Sequence, residues 1–127
     1  MNICIIGSGY VGLVSGACFA DLGNKVICVD NDESKIRTLK KGAIPIYEPG
    51  LAELVKRNCK ELRLSFTSNL KQAVKSSEVI FICVGTPPRD NGEADLSFIE
   101  HVARDIALSM PSYRLIIEKS TVPVNTG

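Results

Sequence analysis

The chain has no tryptophan, a single histidine, 6% aromatic residues and a formal net charge of only +1. So few aromatics offer no stacking platform for nucleobases, and so small a charge supplies no field to gather a polyanion. Nucleic acid is therefore not expected as a partner. No run of about 18 apolar residues occurs, so no membrane-spanning helix is expected. The N-terminus leads directly into an apolar, strand-like run, with no basic segment or cleavage site before it. That pattern predicts no secretory signal and a cytoplasmic location. The five cysteines (Cys4, Cys18, Cys28, Cys59 and Cys83) fall at no zinc-binding or redox-pair spacing, so neither a metal centre nor a disulfide framework is expected. Cys4, Cys28 and Cys83 sit inside apolar runs, where a thiol behaves as a small hydrophobe.

What the sequence does contain is alternation. At 127 residues with 45% hydrophobic content, it suits one domain with one core. Strand-like runs are predicted at about 2–6, 25–30, 63–67, 79–84 and 115–119, separated by segments with helical periodicity. Helix 1 is expected from Tyr10 to Leu22 with Gly23 as its stop, and its small residues Gly16, Ala17 and Ala20 allow close packing. Asn31 or Asp32 is expected to cap a helix with Ile36 and Leu39 facing inward, and Asn69 one carrying Leu70, Ala73 and Val74. Two prolines keep 43–50 out of regular helix, and Leu51, Leu54 and Val55 mark a helix beyond. Leu96, Ile99, Val102, Ala103 and Ile106 predict the inner face of another. Strand and helix in alternation give the fold class: α/β, a Rossmann-type doubly wound parallel sheet with strand order 3-2-1-4-5.

In that order a ligand belongs over the carboxyl ends of strands 1 and 4, and the unusual residues gather at those ends. Gly7-Ser8-Gly9-Tyr10-Val11-Gly12 follows strand 1 and opens helix 1. Gly7 permits the tight turn, Gly9 lets bare backbone approach a pyrophosphate, and Gly12 brings the helix close to the sheet. The helix N-terminus, with its unpaired N–H groups, suits the negative charge. Asp30 closes strand 2, roughly 20 residues on. A carboxylate there accepts hydrogen bonds from both adenosine ribose hydroxyls, whereas a 2′-phosphate would place like charge beside it. NAD is therefore expected over NADP. Lys35 has two readings, a contact to the ribose or a phosphate, or a solvated helix charge. Single His101 is expected on the surface, away from the strand ends, and no Ser-His-Asp or Cys-His set is readable.

Four segments carry a family resemblance in order along the chain: Gly7–Leu13, Pro45–Leu51 (Pro-Ile-Tyr-Glu-Pro-Gly-Leu), Val84–Pro87 (Val-Gly-Thr-Pro) and Glu118–Pro123 (Glu-Lys-Ser-Thr-Val-Pro). They resemble the NAD-binding domain of the UDP-glucose/GDP-mannose dehydrogenases, most of all the UDP-glucose branch. The resemblance implies oxidation of a nucleotide-sugar C6 alcohol to a carboxylate by two hydride transfers to two NAD. In that family the covalent nucleophile is a cysteine in a later domain, so residues 1–127 alone are expected to be inactive. The central and C-terminal substrate domains lie outside this sequence, and a homo-oligomer is expected at full length. The implied cofactor-binding residues are Gly7, Gly9, Tyr10, Val11, Gly12, Asp30, Lys35, Ser68 (or Thr67), Val84, Gly85, Thr86 and, near the nicotinamide, Glu118. Thr121 resembles a catalytic threonine that orders a water near the reacting carbon. Glu48 either shapes the site or is solvated in a proline-fixed loop. The alternatives are a non-catalytic NAD-sensing module, a dehydrogenase of GDP-mannose or UDP-N-acetylhexosamine, or a hydroxy-acid dehydrogenase.

Overall fold

The structure, a computed structural model, describes residues 1–85, 89–93 and 95–120. The elements run β1 (Asn2–Ile6), α1 (Tyr10–Asp21), β2 (Lys25–Val29), α2 (Glu33–Lys40), α3 (Leu51–Lys60), β3 (Leu64–Thr67), α4 (Leu70–Lys75), β4 (Val79–Ile82), α5 (Ser97–Ser109) and β5 (Leu115–Glu118). The strands form one five-stranded sheet in the order β3-β2-β1-β4-β5, and every pairing is parallel. The fold class and strand order are those expected from the alternation.

The register explains how one sheet builds two cores. Ile5 lies beside Cys28 and Phe81, while Cys4 lies beside Ile27 and Ile80. Successive side chains point to opposite faces. The Ile5 face packs on α1, α2 and α3 through Leu13, Ala17, Ile36, Leu39, Leu51 and Val55. The Cys4 face packs on α4 and α5 through Ala73, Val74, Ile99, Val102 and Ile106. Burial on both faces is why these strands read as continuous apolar runs. It also raises the Cys4 thiol to about 12, so that side chain is neutral filling.

Helix ends largely follow the sequence. Asp32 caps α2 by accepting hydrogen bonds from the Ser34 and Lys35 N–H groups, and Asn69 caps α4 by accepting from Gln72. Residues 43–50 contain no helix or strand. One expectation fails. Ala103 is exposed because the inward stripe of α5 runs through Ile99, Val102 and Ile106; Ala103 lies about 100° further round the helix. Asn58 is fully buried on α3, where its Nδ2 donates to Leu54 O (2.9 Å) and Arg63 Nε donates to its Oδ1 (3.0 Å). It pins α3 to the chain entering β3, at the end of the sheet away from the glycine loop.

Ile5 is fully buried in the central strand. Ile5→Ala should lower the unfolding free energy by about 2–5 kcal/mol in a denaturant titration; a loss below about 1 kcal/mol would mean this face is loosely packed.

Candidate functional site

A cleft of about 560 Å³ opens over the carboxyl ends of the strands, at the switch point between β1 and β4. Its floor is Ile6, Gly7, Cys83 and Val84, and one wall is Ser8, Gly9, Asp30 and Lys35. Ser68 and Leu70 close another side, and Phe98, His101, Val102 and Asp105 of α5 form the opposite rim.

The glycine loop is shaped by contacts that exclude side chains. Gly7 has φ +106°, and a Cβ there would stand 2.4 Å from Cys83 O. A Cβ on Gly12 would stand 1.9 Å from Gly7 O, so the helix touches the loop through backbone as well as resting on the sheet. The Gly7 N–H continues the β-ladder by donating to Val29 O (2.7 Å). Gly9 differs from both. It is the N-cap of α1 with an ordinary φ of −75°, and a Cβ there would meet nothing within 4 Å.

Helix α1 is therefore left without the caps that α2 and α4 receive. No side chain bonds its N-terminal amides, and no acidic residue lies in its first turn. First-turn N–H groups lack intrahelical acceptors, and the helix dipole adds positive potential. Such an end favours an anion, and bare Gly9 leaves room for a diphosphate to approach. The residues present fit a dinucleotide.

Asp30 stands just beyond β2. Ser8 donates to its Oδ2 twice, from N (3.1 Å) and from Oγ (2.7 Å), and the Asp32 N–H donates to Oδ1 (3.0 Å). Lys35 Nζ lies 3.7 Å from Oδ2. Burial pushes the Asp30 carboxyl up, but the Ser8 hydroxyl, the Asp32 and Ser8 amides and Lys35 outweigh it and hold the group below its ordinary value. Asp30 is thus an anion at neutral pH, aligned before any ligand arrives. Of the two readings of Lys35, the ion pair and the cleft position favour a role at the wall.

The other expected site residues divide. Gly7, Gly9, Asp30, Lys35, Ser68, Val84 and Gly85 line the cleft together. Tyr10 and Val11 are exposed in the first turn of α1 beside it. Between Thr67 and Ser68, Ser68 lines the cleft, while the Thr67 hydroxyl accepts the Asn69 N–H (3.1 Å). Glu118 closes β5 opposite Ile82 and is outside the lining of the cleft. Thr86 and Thr121 lie outside the described residues. Tyr10 Oη donates to Glu48 Oε2 (3.0 Å), which raises the Tyr10 hydroxyl's pKa and ties the Glu-Pro-Gly-Leu loop to α1. Glu48 is therefore engaged by α1.

His101 corrects the sequence expectation in part. Its side chain is 69% exposed and pairs with Asp105 at 3.3 Å, yet it belongs to the cleft rim. The stripe Phe98, His101, Val102 and Asp105 follows the i, i+3, i+4, i+7 spacing, and the crossover after β4 carries that face back over the switch point. Ser120 was also missed. Its hydroxyl donates to Val84 O (2.8 Å), bracing the loop that leaves β4.

Comparison with known proteins decides the family. The sequence profile of the "UDP-glucose/GDP-mannose dehydrogenase family, NAD binding domain" matches residues 1–127. The chain belongs to this family. It is 56% identical over 126 residues to a UDP-glucose 6-dehydrogenase of Bacillus subtilis, covering 99% of this chain and 27% of the relative. It is 57% identical over 128 residues to a UDP-glucose 6-dehydrogenase of Rhizobium meliloti, covering 100% of this chain and 29% of that protein. Its fold superimposes on a ternary-complex crystal structure of GDP-mannose dehydrogenase from Pseudomonas aeruginosa, with a TM-score of 0.91 and 44% identity. That alignment covers 96% of this chain and 29% of the other. The chain thus spans just over a quarter of the length of the relatives it matches. NAD is the cofactor of this domain.

Two glycines separate folding from binding. Gly9→Ala should leave stability within about 1 kcal/mol while weakening NADH binding by roughly tenfold or more, because a methyl enters the path of the diphosphate. Gly12→Ala should cost about 2–4 kcal/mol of stability, since a backbone carbonyl has no freedom to withdraw. Denaturant unfolding and nicotinamide fluorescence read the two effects; equal stability losses in both variants would contradict the assignment.

Proposed function

We propose that this chain is the NAD-holding domain of a nucleotide-sugar 6-dehydrogenase that converts UDP-glucose to UDP-glucuronate with two NAD in the full-length enzyme. The observation that carries the reading is the bare, uncapped start of α1 beside Asp30 in one cleft, at a switch point where dinucleotides bind. The match to two UDP-glucose 6-dehydrogenases at 56% and 57% identity supports UDP-glucose over GDP-mannose as substrate. The same relatives speak against a non-catalytic sensor.

NAD, when bound, accepts hydride from the sugar alcohol. The chain's own residues do the holding. Gly7, Gly9 and the first turn of α1 present backbone amides to the diphosphate, with Tyr10, Val11 and Gly12 supplying that turn. Asp30 accepts from the adenosine ribose, with Lys35 and Ser68 beside it. Val84 and Gly85 line the cleft beyond the diphosphate, and the family resemblance gives Thr86 a cofactor contact, Glu118 a role near the nicotinamide and Thr121 the ordering of a water near the reacting carbon. The covalent chemistry falls to residues of the longer protein, so residues 1–127 alone make no product.

Among the described residues no helix is long and apolar enough to cross a membrane, and all five cysteines are free thiols. Free thiols fit a reducing compartment, so we place the protein in the cytoplasm. A homo-oligomer of the full-length enzyme completes the proposal.

Titration with NADH followed by nicotinamide fluorescence should saturate, and Asp30→Arg should abolish it. The full-length protein should form NADH from UDP-glucose faster than from GDP-mannose, and residues 1–127 should form none. No binding at millimolar NADH would sink the cofactor role; preference for GDP-mannose would reassign the substrate.

A further inference from the structure

We propose that Ser8 is a positioning residue that divides the Asp30 carboxylate: Oδ2 belongs to the glycine loop, and Oδ1 alone is left for a ribose hydroxyl of NAD. The inference rests on the NAD reading of the cleft and adds a residue outside the glycine and acidic positions of the motif.

Ser8 is 0% exposed although it sits between two glycines at the edge of an open cleft. Its hydroxyl does not cap α1; Gly9 holds that position. Instead its N–H and its O–H both donate to Asp30 Oδ2, at 3.1 and 2.7 Å, across 22 residues of sequence. A carboxylate oxygen has two lone-pair directions. Both on Oδ2 are taken, with Lys35 Nζ a further 3.7 Å away. On Oδ1 one is taken by the Asp32 N–H and one is open.

One open acceptor serves one ribose hydroxyl. The bidentate grip that an acid at the strand end would offer is therefore unavailable while Ser8 holds Oδ2, and the second hydroxyl turns to another donor or acceptor on the wall, where Lys35 stands. The arrangement also joins two halves of the cofactor site. The loop that offers amides to the diphosphate and the acid that receives the ribose share a partly buried, charge-assisted pair of hydrogen bonds, so neither moves without the other. The ionisable groups facing Asp30 are Asp32 and Lys35 at the start of α2, and His101 and Asp105 on the α5 rim across the cleft.

Ser8→Ala removes the hydroxyl and keeps the shape. NADH affinity at pH 7 should fall roughly tenfold, because the lost anchoring of the carboxylate outweighs the one acceptor direction freed on Oδ2, and NADPH affinity should fall less, so that discrimination between them narrows. The pH profile of NADH binding adds a readout that a purely structural role would not move. Asp30 must be ionised to accept, and the Ser8 hydroxyl helps hold its carboxyl down against burial. Without that hydroxyl the acid limb of binding should shift to higher pH. His101, Asp105, Asp32 and Lys35 are present in both proteins, so the difference between the profiles isolates Asp30. A Ser8→Ala protein that binds NADH within twofold of wild type, with an unmoved acid limb, overturns the proposal.

Should Ser8→Ala fail to fold, the wild-type protein still decides. Carbon-13 titration of the Asp30 carboxyl should give a midpoint below the ordinary carboxylate range, with a slowly exchanging Ser8 hydroxyl proton coupled to it. An ordinary midpoint with no such proton overturns the proposal. A wild-type protein that binds no NADH fails earlier, at the cofactor reading, and takes the proposal with it; that result is distinct from one in which wild type binds and Ser8→Ala matches it.

Discussion

The backbone contact between Gly12 and the carbonyl of Gly7 is the constraint on which the site depends. A Cβ on Gly12 would lie 1.9 Å from that oxygen, closer than any atom pair tolerates. The first turn of α1 is thereby pressed against the end of β1, and its amides are aimed over the strand ends instead of into solvent. Gly7, whose own Cβ would strike Cys83 O, lets the loop pass over β4 at the same point. Remove either approach and the helix start lifts away from the switch point.

Close approach fixes where the loop is, and Asp30 fixes its shape. β2 and β1 are neighbours, with Ile6 opposite Val29, so the residues that follow each strand emerge side by side. Ser8 and Asp30 meet because the sheet brings them there, and the partly buried bonds between them carry the charge of the acid into the loop. An ionised carboxylate in partial burial is costly unless hydrogen-bonded. Here two of the hydrogen bonds that stabilise it come from Ser8 of the glycine loop. Folding of the loop and charging of the acid thus reinforce one another.

Much of this was legible in the sequence because it depends on local chemistry. The sheet order followed from five apolar runs with helical segments between them, and Asn69 and one of Asn31 and Asp32 read as caps because a cap needs only its own next three residues. The glycine spacing with Asp30 beyond β2 marked the cleft. What escaped depends on distant partners. Ser8 reads as turn filler until its partner 22 residues away is in place. The hydroxyl of Ser120 meets a carbonyl 36 residues back. Asn58 looks like a solvated helix residue until Arg63 folds over it. His101 was placed by its helix alone, and only the angle at which α5 crosses the sheet brings that face to the cleft. Ala103 shows the opposite error, an apolar residue assigned inward by type when the geometry of the helix turned it out.

The contrast among the helices argues that the cleft is selected for binding at some expense to local stability. α2 and α4 begin with side chains that accept their first amides, and such caps contribute about 1 kcal/mol each. α1 begins at Gly9 with none, and with no acid in its first turn, although Ser8 carries a hydroxyl one residue away. That hydroxyl is directed to Asp30 instead. A serine at position 9 would satisfy the helix and fill the space a ligand needs. α3 and α5 also begin without a side-chain cap, but each carries an acid in its first turn, Glu53 and Glu100; α1 alone has neither, and its unpaired donors are ones that a diphosphate matches in charge.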